Sequence, residues 1–67
     1  MELEKLLENL ISYYKQRKNS PWSMYMSLTE DEVIENFNIH GYEDTKEMIR
    51  RADIRACRQE EAMADNI

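Results

Sequence analysis

Residues 28–33 read LTEDEV, and this short stretch fixes the point at which a helix begins. The Thr29 hydroxyl can accept a hydrogen bond from the backbone N–H of Glu32, whose carboxylate can accept one from the N–H of Thr29. Leu28 and Val33 occupy the two positions of a hydrophobic staple around this capping box. The stretch therefore predicts a short helix that ends near residue 37 or 38. Its predicted buried side consists of Val33, Ile34 and Phe37.

A longer helix is predicted before this stretch, from about residue 2 to residue 18. Its apolar residues recur in steps of three and four, which is the spacing of one helical face. Acidic residues stand near its start and basic residues at its end, an order that complements the helix dipole. Pro21 ends it, because a proline disfavours helical angles at the preceding residue. The predicted apolar face comprises Leu3, Leu6, Leu7, Leu10, Ile11, Tyr13 and Tyr14.

A third helix is predicted after a turn over residues 38–42, where Gly41 can adopt a positive φ. Asp44 and Glu47 have the spacing of a second capping box, which places the start of this helix at Asp44. Nothing in the sequence breaks the helix before about residue 64. Its predicted buried stripe comprises Met48, Ile49, Ala52, Ala56 and Met63.

The composition agrees with one small helical domain. The chain has 67 residues with one glycine and one proline, and it is rich in good helix formers. We therefore predict a single all-α domain over residues 1–67, whose helices are long, short and long. A core this small is marginal, and small scaffolds usually gain stability from disulfides, a metal or oligomerisation. One cysteine and one histidine exclude an internal disulfide and disfavour a zinc cluster, so oligomerisation or a partner remains, unless three well-packed helices suffice alone.

The sequence has no long apolar run. Charged residues interrupt the apolar positions near its start, which is unlike a signal peptide or a transmembrane segment. A lone cysteine is compatible with a reducing compartment. We expect a cytoplasmic protein with no membrane association, cofactor, metal or small-molecule substrate.

Charge is distributed unevenly around the formal net charge of -5. Residues 19–45 contain six acidic residues and no lysine or arginine, whereas residues 46–58 contain five basic and two acidic residues. The arginines of the basic segment are Arg50, Arg51, Arg55 and Arg58, and the last three lie away from the apolar stripe on a helical wheel. One interpretation is a solvated helix face with pairs such as Glu47–Arg51. The other is a docking surface for a carboxylate-rich or phosphate-bearing partner, since arginine presents a bidentate fork.

Two groups of apolar residues are further candidates for binding. Trp22 and Tyr25, in the segment 22–26, are residue types typical of interface cores, but they can equally close the end of a small core. Ile54 and Cys57 lie opposite the buried stripe of the third helix, where they can remain scattered surface residues or pack against a second copy. The candidate partner-binding residues are therefore Arg50, Arg51, Arg55, Arg58, Trp22, Tyr25 and Ile54.

The stretch from Leu28 to Arg51 resembles helix-turn-helix DNA-binding units in arrangement, with a short capped helix, a glycine-containing turn and a helix that carries arginines. The resemblance covers about a third of the chain and implies a dimer that binds DNA. The chain departs from such units where the third helix begins. Acidic residues at Glu43, Asp44 and Glu47 would repel phosphate at the end that normally meets DNA.

No catalytic motif stands out. His40 and Cys57 are a base and a nucleophile in principle, but nothing in the sequence orients them. The acidic residues of segment 19–45 can imitate the phosphates of a nucleic acid, although acids also favour the first turn of a helix. We interpret the chain as a non-enzymatic protein–protein interaction module, a small acidic regulator or inhibitor of a larger protein. The alternative is a small helix-turn-helix DNA-binding regulator that acts as a dimer.

Overall fold

The computed structural model describes the backbone of residues 2–65 and the side chains of residues 2–63, and the ends of the predicted 1–67 domain lie outside these ranges. Within the described residues the chain forms three α-helices: α1, Leu3–Lys18; α2, Glu30–His40; and α3, Tyr42–Asp65. The segment between α1 and α2 contains a single 3-10 turn, Ser23–Tyr25. The prediction of an all-α fold with long, short and long helices is confirmed.

The start of α2 follows the sequence prediction atom for atom. The backbone N–H of Glu32 donates to Thr29 Oγ1 at 3.3 Å, and the N–H of Thr29 donates to Glu32 Oε1 at 3.0 Å. Leu28 and Val33, the two staple residues, are both buried in the core. This end of the helix is therefore set by contacts among neighbouring residues, which is why sequence alone locates it.

The predicted five-residue turn between α2 and α3 is wrong, because Gly41 alone separates the two helices. Gly41 has φ 89 and ψ -176, and its N–H donates to the carbonyl of Phe37. Its own carbonyl accepts hydrogen bonds from the backbone N–H of Thr45 at 3.2 Å and from Thr45 Oγ1 at 2.7 Å. The backbone bond is the first i→i+4 bond of α3, so the helix starts at Tyr42, two residues before the predicted Asp44.

Helices α1 and α3 run parallel to each other. Tyr42 Oη donates to Asn9 Oδ1 at 2.7 Å, and Arg17 lies 3.7 Å from Asp53 two to three turns further along both helices. Helix α2 packs back along α3, where Asn36 Nδ2 donates to Thr45 Oγ1 at 2.8 Å. Because α3 is longer than α1, roughly its last eight residues extend about 12 Å beyond the bundle. The molecule is accordingly elongated, with extents of 48 × 18 × 16 Å.

The core lies where the three helices meet. Its buried apolar residues are Leu10, Tyr14, Met26, Leu28, Val33, Ile49 and Ala56. Two residues of the predicted apolar faces are exposed instead: Leu3 by 70% and Met63 by 52%. Each lies on a part of its helix that extends past the other helices. The periodicity therefore identified the correct faces but not the length over which they are covered.

Asp53 joins three parts of the fold. Its carboxylate accepts a hydrogen bond from Trp22 Nε1 at 2.8 Å and lies 3.7 Å from the Arg17 guanidinium. The side chain is almost fully buried, so its charge relies on these two partners. Segment 22–26 is thereby held against α3, with Met26 in the core and Trp22 packed against it.

Trp22→Phe is expected to lower the free energy of unfolding by about 1.5–3 kcal/mol, since it removes one hydrogen bond to a charged carboxylate and keeps most of the ring. The measurement is urea unfolding followed by circular dichroism. In an Asp53→Ala background the same change is expected to cost clearly less, because the acceptor is already gone. Equal losses in both backgrounds would contradict the assigned bond.

Candidate functional site

Four residues of α3 form a shallow cleft on the side that faces away from the bundle: Arg51, Ile54, Arg55 and Arg58, here called the Arg face. The three arginines are exposed and Ile54 is half-buried between them. The cleft measures about 250 Å³ and is lined by one helix, below the roughly 300–1,000 Å³ of small-molecule pockets. Its shape and chemistry therefore suit a side chain presented by a macromolecule.

The arginines of α3 divide into two groups. Arg50 donates two hydrogen bonds to Glu47, Nε at 3.0 Å and Nη2 at 2.6 Å, and Arg51 Nε donates to Glu47 at 3.2 Å. The predicted Glu47–Arg51 pair is therefore present, and Arg50 turns away from the Arg face to share that carboxylate. Among the described residues, neither Arg55 nor Arg58 lies within ion-pair distance of a carboxylate. These two guanidinium groups are the ones available to a partner.

The pKa of the shared carboxylate, Glu47, is lowered. Hydrogen bonds from Arg50, with smaller contributions from Arg51, lower the pKa of Glu47 from 4.5 to about 2. A lowered pKa in the folded chain means that the ion pairs stabilise the fold above the usual pKa of a glutamate. That stabilisation disappears as the pH falls through about 2.

Arg50→Gln is expected to raise the pKa of Glu47 well above 2, because the largest cause of the shift is removed while Arg51 stays. The pKa can be read from the carboxyl carbon of Glu47 in an NMR titration. Arg58→Gln is the matched control, since Arg58 makes no contact with Glu47, and it should leave that pKa unchanged. An unchanged pKa in Arg50→Gln would refute the assignment.

A polar groove between α2 and α3 continues from the Arg face. Arg51 and Arg55 border both, and Glu32 and Asn36 form the α2 side of the groove. Of the six acidic residues of segment 19–45, only Glu32 and Asp44 line this groove. Glu30 to Glu32 lie at the start of α2 and Glu43 and Asp44 beside its end, about 16 Å apart for an 11-residue helix. The predicted acidic residues are thus spread along α2 and the start of α3, and only Glu32 and Asp44 share the groove.

Trp22 and Tyr25 lie away from the Arg face and pack against the core, each half-buried. The exposed residue of this segment is Met24, with 79% of its surface accessible. Sequence reasoning missed the role of Asp53, whose contact with Trp22 joins residues 31 positions apart. It also missed the outer side of α1, where Leu7 and Ile11 are only half-covered. A clue was present in the predicted stripe of α1, which is wider than one small core can cover.

His40 and Cys57 are not brought together. His40 is exposed at the end of α2, whereas Cys57 lies 15 residues into α3, about 22 Å along the helix. Partial burial, followed by the nearby Glu61, raises the pKa of the Cys57 thiol. A raised pKa disfavours the reactive thiolate. Within the described part of the chain, no three potential metal ligands cluster together.

Comparison of the chain with known protein families, with curated proteins and with solved structures found no match. The single-residue turn at Gly41 is also shorter than the three- to four-residue turn of helix-turn-helix units. None of the helices within residues 2–65 combines the length and hydropathy needed to cross a lipid bilayer. The site is therefore interpreted from its own chemistry.

Proposed function

We propose that this chain is a non-enzymatic protein–protein interaction module, a small acidic regulator or inhibitor that docks on a larger protein through the Arg face. One observation carries the proposal: Ile54 lies half-buried among three exposed arginines, and two of those are unpaired within the described residues. Arginine is enriched in protein interfaces and in their hot spots, and a partner that contacts these arginines would also cover Ile54.

The chemistry of the face defines the partner. Arginine binds carboxylates through two parallel hydrogen bonds, so the partner is expected to present Asp or Glu around an apolar residue that covers Ile54. The charge of the rest of the chain also favours binding through the Arg face. The net charge is -5 with the three arginines included, so the remaining surface is negative on balance and repels an acidic partner.

DNA binding has less support from the same helix. A helix-turn-helix unit meets base edges with the first residues of its recognition helix, and α3 begins with exposed Glu43 and Asp44. Asp44 also accepts a hydrogen bond from Asn36 of α2 at 3.2 Å. The arginines stand roughly two to four turns further along α3, beyond the N-terminal residues that contact base edges.

Arg55→Gln/Arg58→Gln is expected to abolish capture of a protein partner from a nuclease-treated lysate, with mass spectrometry as the readout. The change removes two positive charges and both unpaired guanidinium groups. Glutamine is also a good helix former, so the helix is preserved. The matched control is Lys5→Glu, an exposed position of α1. It makes the chain more negative by the same two charges and should leave capture intact.

The outcomes distinguish docking through the Arg face from nucleic-acid binding. Loss in the double variant together with retention in the control supports docking through the Arg face. Equal capture by both variants overturns it. If nuclease treatment alone removes everything that the wild-type chain captures, nucleic acid is the ligand and the DNA-binding alternative replaces the proposal.

A further inference from the structure

The outer side of α1 carries an apolar ridge that the bundle leaves partly uncovered. Leu7 and Ile11 are half-buried one turn apart, and Leu3 continues the ridge with 70% of its surface exposed. Charged residues flank the ridge, with glutamates in the first half and a lysine in the second. We define the outer ribbon of α1 as Glu4, Leu7, Glu8, Ile11, Ser12 and Lys15.

We propose that the outer ribbon pairs with the outer ribbon of a second copy of this chain, in antiparallel orientation about a twofold axis near Ile11 and Ser12. Such an axis places Glu8 of each copy opposite Lys15 of the other, so the same ion pair forms twice. Parallel pairing would instead oppose glutamate to glutamate and lysine to lysine. A symmetric interface must be complementary to itself, and only the antiparallel arrangement of this ribbon is.

The Arg face does not meet that requirement. Ile54 is the apolar residue that the sequence predicted in a dimer interface, but Arg51, Arg55 and Arg58 surround it. A twofold contact there would press arginines against arginines, which costs free energy. The acidic and basic halves of the outer ribbon make α1 the better surface for self-association, and the Arg face is left for a different protein.

One further observation favours a second copy on α1. The only ion pair of Lys15 in the described chain is a 3.7 Å contact with Glu30, and both side chains are largely exposed. Such a pair contributes little, so Lys15 is free to turn toward a partner.

The dimer is expected to be weak, because one face of a 16-residue helix buries less than the roughly 800 Å² per partner of a standard interface. Analytical ultracentrifugation from about 10 μM to about 1 mM covers the matching affinities. Over this range the mean mass is expected to rise from 8.1 kDa toward twice that value. A constant monomer mass would overturn the proposal.

Charge reversal provides the decisive test. Glu8→Lys and Lys15→Glu are each expected to weaken self-association about tenfold, because each turns two attractive pairs into two repulsive ones. An equimolar mixture of the two variants is expected to associate again, since every pair across the mixed interface then joins a lysine of one variant to a glutamate of the other. Lys5→Glu, off the ribbon, should behave as wild type. Failure of the mixture to associate would refute the antiparallel pairing, and helical circular dichroism of each variant verifies that it is folded.

Discussion

Ile49→Ala is expected to leave the chain largely unfolded at 25 °C. Ile49 is fully buried in α3, where it belongs to the small group of largest completely buried side chains. Truncating such a residue costs about 2–5 kcal/mol, because the transfer energy is lost and a cavity remains. A core in a domain below about 70–80 residues rarely supplies more than about 3–5 kcal/mol. The loss is therefore comparable to the whole stability of the monomer.

The test is urea unfolding followed by circular dichroism, with the dispersion of an NMR spectrum as an independent sign of folding. Ile39→Ala is the matched control, since Ile39 lies on α2 with 65% of its surface exposed. The same chemical change there should shift stability by no more than about 0.5 kcal/mol. A cooperative transition of Ile49→Ala with a midpoint near that of wild type would show that this side chain is not central to the core.

Gly41→Ala is the second change with a large expected effect, up to about 3 kcal/mol of stability lost. The combination of φ 89 and ψ -176 at Gly41 belongs to a region that essentially only glycine occupies. A Cβ at this position would meet nothing within 4 Å. The whole expected cost is therefore backbone strain, because no clash with a neighbour contributes.

The mirror-image residue is the control. A chain of this length can be assembled by chemical synthesis with D-alanine at position 41. For a D-residue the Gly41 conformation is an ordinary extended one, and the added Cβ restricts the unfolded chain, so stability should match or exceed that of wild type. If L-alanine and D-alanine destabilised the chain equally in urea unfolding, contacts rather than conformation would explain the glycine.

The parts of the fold that sequence predicted are those fixed by local contacts. The capping box at Thr29 and Glu32 closes within four residues, so it could be located from LTEDEV alone. The start of α3 could not be located from sequence in the same way. Asp44 and Glu47 have the right spacing for a second box, but Glu47 accepts hydrogen bonds from Arg50 and Arg51 instead. The first intrahelical bond runs from the N–H of Thr45 to the carbonyl of Gly41.

The same distinction applies to the candidate site. Helical periodicity alone placed Arg51, Arg55 and Arg58 on the exposed side of α3, as observed. It could not separate Arg50, which depends on the rotamer that reaches Glu47. Nor could it place Trp22, whose partner lies 31 residues away. Contacts across such separations follow from how helices pack, which a one-dimensional pattern does not contain.

The parallel arrangement of α1 and α3 also bears on how fast the chain folds. Contacts between α2 and α3, such as Asn36 with Thr45, join residues nine positions apart, whereas Tyr42 and Asn9 are 33 apart. Closing the larger loop costs more chain entropy, and short-range contacts form sooner. The α2–α3 hairpin is therefore expected to assemble first, and the docking of α1 to set the folding rate. Substitutions that weaken the hairpin would slow folding, whereas those confined to the Trp22–Asp53 contact would mainly speed unfolding.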